Sequence, residues 1–99
     1  MIMNKENTKA SILLVEDEEN LHETLKLNLE MEGYSVTSAY NGSEAMKIVE
    51  EEYFDLIIMD VMLPEMDGIS VTENIRLKNN DVPVLILSEK IPGRIGYLV

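Results

Sequence analysis

Hydrophobic and polar positions alternate along the chain in blocks that predict strands and helices in turn. Short apolar blocks predict four strands, at Ser11 to Val15, Tyr34 to Ser38, Leu56 to Met59 and Pro83 to Leu87. Longer blocks with apolar residues every three or four positions predict three helices between them, at about Asn20 to Glu32, Ser43 to Glu51 and Ile69 to Lys78. Strands that alternate with helices form a parallel sheet covered by helices on its faces, so the fold class is α/β.

Two of the predicted strands end in acidic residues. Strand three runs directly into Asp60, and strand one runs into Glu16 and Asp17. If these strands are neighbours in a parallel sheet, their carboxyl ends meet at the edge where such sheets bind ligands. Two carboxylates ~4 Å apart repel by about 4 kcal/mol at an effective dielectric of 20. We therefore expect a raised pKa or a bound cation, and Mg²⁺ is the cation that prefers one or two carboxylates with water and phosphate oxygens.

Composition narrows the class of protein. The chain has 99 residues and a net charge of −11, which argues against direct binding to nucleic acid or to an anionic membrane and favours a basic partner. It contains no cysteine, which excludes disulfides and thiol catalysis. Residues 1–9 lack the apolar core of a signal peptide, and no apolar run approaches the ~20 residues of a membrane helix. We expect a soluble, cytoplasmic protein.

The two ends of the chain differ from its middle. We expect a loose N-terminus at residues 1–9, one domain at residues 10–90 and an atypical tail at residues 91–99. Pro92, Gly93 and Gly96 leave no room in the tail for a further helix and strand. Strand four would then be an apolar edge, which invites pairing. The expectation is that Ile95 to Val99 or a second copy of the chain covers the edge at residues 82–87, which makes a homo-oligomer possible.

At this point the sequence resembles the receiver domains of two-component response regulators. The resemblance rests on four segments in the right order and spacing, namely ILLVEDEENL, NGSEAM, DLIIMDVMLPEMDG and VPVLILSEK. It implies a flavodoxin-like, doubly wound parallel sheet with strand order 2-1-3-4. It also implies phosphoryl transfer from a sensor histidine kinase onto an aspartate, and no enzymatic activity beyond the domain's own phosphorylation and dephosphorylation.

The resemblance assigns a role to each matching residue. Asp60 corresponds to the phosphoacceptor, and Asp17 to the acid that binds Mg²⁺ directly. Glu16 corresponds to the acid that holds the metal through water, and Met62 offers its backbone carbonyl as a further metal ligand. Ser88 corresponds to the hydroxyl that bonds the phosphoryl group in the active state. The chemistry agrees, because a carboxylate can form an acyl phosphate when the charge of the phosphoryl oxygens is neutralised.

The chain departs from the family pattern after strand four. Receivers continue to a fifth strand that ends in a lysine, and nothing after Lys90 matches that lysine or the last two helices. This leaves two functions open: a phosphorelay receiver, or a truncated or inactive receiver that acts as a protein interaction module. Of the remaining polar residues, Asp67 is expected to be a turn or cap residue, and His22, the only histidine, is expected at the surface of the first helix.

Overall fold

The fold was analysed in a computed structural model that describes residues 9–87 and 96–98. Every predicted strand and helix is present, and no end differs from its predicted position by more than one residue. In chain order the elements are β1 (Ser11–Val15), α1 (Glu19–Met31), β2 (Ser35–Ala39), α2 (Gly42–Glu51), β3 (Leu56–Asp60), α3 (Gly68–Leu77), β4 (Val84–Leu87) and β5 (Gly96–Leu98).

The strands form one sheet in the order β2-β1-β3-β4-β5. The first four strands in the chain are parallel to one another, with Val15 opposite both Ala39 and Met59, and Met59 opposite Ile86. The flavodoxin-like α/β fold and the strand order 2-1-3-4 are thus confirmed.

The tail differs from its expected form, because it contributes a short strand. Within the described residues, β5 runs antiparallel to β4, with Leu98 opposite Leu85 and Gly96 opposite Leu87. The prediction that the tail has no room for a further helix and strand concerned a parallel strand, whose connection takes a dozen or more residues. An antiparallel return needs far fewer. The outer edge of β4 is therefore covered by residues of the predicted covering segment in the same chain.

The two faces of the sheet carry different numbers of helices. Alternate strand residues such as Leu13, Ile57 and Val84 face α2 and α3 and form the larger hydrophobic core with Val71 and Ile75. Residues on the opposite face form a smaller cluster against Leu25 and Leu29 of α1, and its buried members are Ile12, Leu14 and Ile58. Among the helices of the described chain, none has the length and apolarity needed to cross a membrane.

Candidate functional site

Three acids meet at the carboxyl ends of β1 and β3. Since Val15 lies opposite Met59, the residues that follow them, Glu16 and Asp60, emerge side by side. Glu16, Asp17 and Asp60 each place one carboxylate oxygen within 4.8 Å of the others. The convergence expected from two adjacent strands that end in acid is therefore present.

Glu16 is the buried member of this acidic cluster. Its side chain is 2% exposed, and its Oε2 accepts a hydrogen bond from the main-chain N–H of Glu18 at 2.9 Å. Burial away from water raises the pKa of the Glu16 carboxyl to about 7; the Glu18 hydrogen bond opposes this rise, and the charges of Asp60 and Asp17 add to it. In a site without a cation, the Glu16 carboxyl is thus mostly protonated below a pH of about 7, and the proton reduces the repulsion within the cluster.

Asp60 is half-buried at the start of the loop that joins β3 to α3. Its Oδ1 accepts a hydrogen bond from the main-chain N–H of Met62 at 3.0 Å. The next peptide groups are also fixed: the N–H of Val61 donates to the oxygen of Leu87, and the N–H of Gly68 donates to the oxygen of Val61, both at 3.0 Å. The backbone next to Asp60 is therefore held by hydrogen bonds to both β4 and the start of α3.

The carboxylate oxygens of the acidic cluster are suitable ligands for a hard divalent cation. The acidic cluster offers only oxygen atoms from three carboxylates, one of which is nearly inaccessible to water. Mg²⁺ selects oxygen ligands, and its charge would offset the mutual repulsion of the three carboxylates. The Met62 carbonyl belongs to the same loop, and its role as a ligand stays a prediction. Ser88, the predicted switch hydroxyl, lies outside the described residues.

The predictions for Asp67 and His22 had different outcomes. Asp67 is the N-cap of α3, with its Oδ1 accepting from the N–H of Ser70 at 2.8 Å, so its prediction as a cap is confirmed. The surface prediction for His22 is wrong, because its side chain is 0% exposed. Its Nδ1 lies 2.7 Å from the main-chain oxygen of Glu16, and its ring stacks on Tyr40 with centroids 4.1 Å apart.

A sequence signal could have found His22. It precedes Leu25 by three positions and Leu29 by seven, which is the spacing of one helix face. Leu21 precedes Leu25 by four positions but is only partly buried, and its neighbour His22 is the buried residue. The spacing from His22 to Leu25 and Leu29 therefore indicates that the histidine lies on the buried face of α1.

A doubly wound α/β sheet with an acidic cluster at the carboxyl ends of β1 and β3 defines the class of protein. The family model for the response regulator receiver domain matches residues 12–93. The chain therefore belongs to the response regulator receiver family.

Similar proteins include transcriptional regulators and a receiver of known structure. The probable transcriptional regulator ycf27 of Cyanidium caldarium is 44% identical over 88% of this chain and 35% of its own length. The alkaline phosphatase synthesis regulatory protein PhoP of Bacillus subtilis is 47% identical over 80% of this chain and 33% of its own. The response regulator TrrA of Thermotoga maritima, solved in complex with Mg²⁺-BeF, superposes with a TM-score of 0.79 and 38% identity over 83% of this chain and 71% of that one. The chain spans about a third of the length of the curated relatives.

Proposed function

We propose that this chain is a phosphorelay receiver that accepts a phosphoryl group from a sensor histidine kinase on Asp60. Mg²⁺ would be held by Glu16, Asp17, Asp60 and the backbone carbonyl of Met62. The observation that carries the proposal is the convergence of three carboxylates at the carboxyl ends of β1 and β3. The family match, and a relative whose structure contains Mg²⁺-BeF, support it further. The kinase as donor and a cytoplasmic location are parts of the proposal.

The chemistry assigned to Asp60 is a single displacement. Asp60 Oδ1 accepts the hydrogen bond from the Met62 N–H. This leaves Oδ2 as the oxygen that attacks phosphorus. A new O–P bond forms while the P–N bond to the kinase's phosphohistidine breaks, and the departing imidazole nitrogen keeps the electron pair and takes up a proton. A bound Mg²⁺ supplies positive charge that neutralises the phosphoryl oxygens. Ser88 would then donate its hydroxyl to one of these oxygens.

The remaining residues hold Asp60 in place for this reaction. The hydrogen bond from Met62 restricts rotation of the carboxylate, and the bond from Val61 to Leu87 fixes the strand end to β4. The function proposed includes no turnover of other substrates, because the phosphoryl group stays on the protein until water removes it.

Intact-mass measurement tests the proposal directly. The protein is incubated with Mg²⁺ and acetyl phosphate, and we expect a mass increase of one phosphoryl group that is absent without Mg²⁺. The Asp60→Asn variant should show no increase. The matched control is Asp67→Asn, which changes an acid on the same loop outside the cluster and should still gain the mass. Uptake that survives in Asp60→Asn, or its absence in the unmodified chain, would contradict the proposal.

A specific observation favours the second candidate, a protein interaction module. On the α1 face of the sheet a cavity of about 220 Å³ lies open beside β4, lined mainly by Leu14, Leu25, Leu29, Ile58, Leu85 and Leu87, together with Asn28 and Glu32. An apolar groove of this kind accepts the apolar stripe of an amphipathic helix. The chain's charge of −11 favours a helix flanked by Lys and Arg, and disfavours a second copy of the same acidic chain.

A pair of designed helical peptides tests this candidate. One carries a leucine stripe flanked by lysines, and the other has glutamates in place of the lysines. We expect only the first to shift the amide resonances of Leu29 and Leu85 in NMR spectra. Glu32→Lys should weaken its binding, whereas Glu23→Lys, the same charge change on α1 outside the groove, should not. Binding of neither peptide would remove this candidate, and equal losses in both variants would indicate nonspecific attraction.

A further inference from the structure

His22 links three parts of the structure that surround the acidic cluster. It belongs to α1, its Nδ1 lies 2.7 Å from the main-chain oxygen of Glu16, and its ring stacks on Tyr40 after β2 with an interplanar angle of 18°. The side chain is 0% exposed. The proposed phosphoryl chemistry gives this buried polar ring no role.

The hydrogen bond determines which ring nitrogen carries the proton. A carbonyl oxygen can only accept, so Nδ1 is the donor to Glu16. Nε2 is buried and has no hydrogen-bond partner among the described residues. The ring thus has one polar contact, and that contact is made to the backbone of the cluster rather than to a carboxylate.

The acceptor is the peptide group that joins the two adjacent acids. The carbonyl oxygen of Glu16 and the N–H of Asp17 lie in one rigid plane. A rotation of this plane changes ψ of Glu16 and φ of Asp17, and so moves both carboxylates. Glu16 is also held by its own N–H, which donates to the oxygen of Ala39 at 3.1 Å, and by the Glu18 bond to its side chain. The bond from His22 restrains the plane on the Asp17 side.

Tyr40 in turn is anchored to the next helix. Its main-chain N–H donates to Oε1 of Glu44 at 2.7 Å, and Glu44 is itself bonded through its N–H to the side chain of Asn41 at 2.8 Å. The ring on which His22 stacks therefore stands on a fixed backbone at the start of α2. The imidazole is held from one side by this stack and directed to Glu16 from the other.

We infer that His22 is a positioning residue for the acidic site: its Nδ1–H fixes the peptide plane between Glu16 and Asp17, and Tyr40 holds the ring that donates it. The inference rests on the proposed Mg²⁺-dependent function of that site. Residues that orient metal ligands through hydrogen bonds typically change metal affinity by 10 to 100-fold when replaced. We therefore expect a loss of about tenfold in Mg²⁺ affinity when the donor is removed.

Two measurements on the unmodified protein test the inference without a variant. His22 is the only histidine, so its imidazole nitrogens give a single set of NMR signals. We expect the tautomer with hydrogen on Nδ1, and we expect these signals to shift with the same Mg²⁺ dependence as the amides of Glu16 and Asp17. A ring with hydrogen on Nε2 alone, or one whose signals ignore Mg²⁺, would overturn it.

Three variants then separate the donor from the packing. His22→Asn keeps an N–H donor at the place of Nδ1, His22→Leu removes the donor, and Tyr40→Leu removes the stack while keeping His22. We expect Mg²⁺ affinity, followed by amide shifts, to fall about tenfold in His22→Leu and to stay within about threefold of the unmodified chain in His22→Asn. Tyr40→Leu should give an intermediate loss. Urea unfolding of each variant measures the loss of stability. If His22 served packing alone, the variants would differ in stability, but His22→Leu and His22→Asn would bind Mg²⁺ with equal affinity.

The failure of the inference and the failure of the proposed function give different results. Equal Mg²⁺ affinities in His22→Leu and His22→Asn, with binding intact in the unmodified chain, refute the inference alone. An unmodified chain that shows no response to millimolar Mg²⁺ refutes the metal site, and the inference falls with it.

Discussion

A Cβ atom on Gly68 would lie 2.5 Å from the main-chain oxygen of Asp60, so the first residue of α3 touches the backbone of the strand end that carries the acid. The N–H of Gly68 also donates to the oxygen of Val61 at 3.0 Å. Because the contact is to backbone, a side chain at Gly68 cannot be accommodated by a rotamer change.

We expect Gly68→Ala to disturb both stability and the site. The strand end must move to admit the methyl group, and overpacking of this kind costs about 1–3 kcal/mol of unfolding free energy. Phosphoryl uptake, followed by intact mass with acetyl phosphate, should slow because Asp60 moves with its backbone.

Gly33→Ala is the matched control for this substitution. Gly33 has φ +97° and no atom within 4 Å of a Cβ, so alanine there is strained by its backbone alone, at about 1–2 kcal/mol. It should destabilise the chain while leaving the uptake rate unchanged. Equal uptake rates in the two alanine variants would show that the Gly68 contact does not position Asp60.

The pKa of Glu16 predicts a pH dependence of stability in protein free of Mg²⁺. Between 4.5, the ordinary value, and about 7, the folded carboxyl holds a proton that the unfolded one has lost. The contribution of Glu16 to stability is therefore greatest below the lower value, falls as pH rises through this window, and levels off above it. At 1.36 kcal/mol per pKa unit the fall is at most about 3 kcal/mol.

Urea unfolding at a series of pH values measures this fall. Glu16→Gln should remove it, and Mg²⁺ should reduce it by binding the ionised carboxylates. The pKa of Glu50 is lowered by its hydrogen bond to Lys78, so its contribution changes below 4.5 and does not overlap the window. A slope that is the same in Glu16→Gln would assign the effect to other groups.

The amino-acid sequence contains most of this fold because hydrophobic spacing is local information. The apolar run before Asp60 and the leucine spacing of α1 identify a strand and a helix without knowledge of their neighbours. The acids converge because parallel strands end at the same sheet edge, which follows from topology. The burial of His22 and the return of Gly96–Leu98 against β4 depend on which atoms come together in three dimensions, and spacing alone does not determine that.

The N-cap of α2 gives a further prediction. The helix was predicted from Ser43, but α2 begins at Gly42, and the side chain of its N-cap, Asn41, accepts a hydrogen bond from the N–H of Glu44 at 2.8 Å. Asn41→Ala should lower the unfolding free energy by about 1 kcal/mol. Ser43→Ala should change it by less than about 0.5 kcal/mol, because it lies inside the helix. Urea unfolding distinguishes the two sites, and a larger loss at Ser43 would contradict the assignment.

Pairing of β5 with β4 bears on self-association. Leu98 lies opposite Leu85 and Gly96 opposite Leu87, so the outer edge of β4 is already paired within the chain. We expect the full chain to be monomeric by light scattering at micromolar concentration. Deletion of residues 96–99 should leave apolar β4 with unpaired backbone groups, the condition under which strands recruit a second chain. Leu85→Lys in the deleted chain should suppress this association, since charged side chains at an edge disfavour pairing. If the deleted chain stays monomeric, or the full chain is a dimer that Leu85→Lys dissolves, then β5 does not protect the edge.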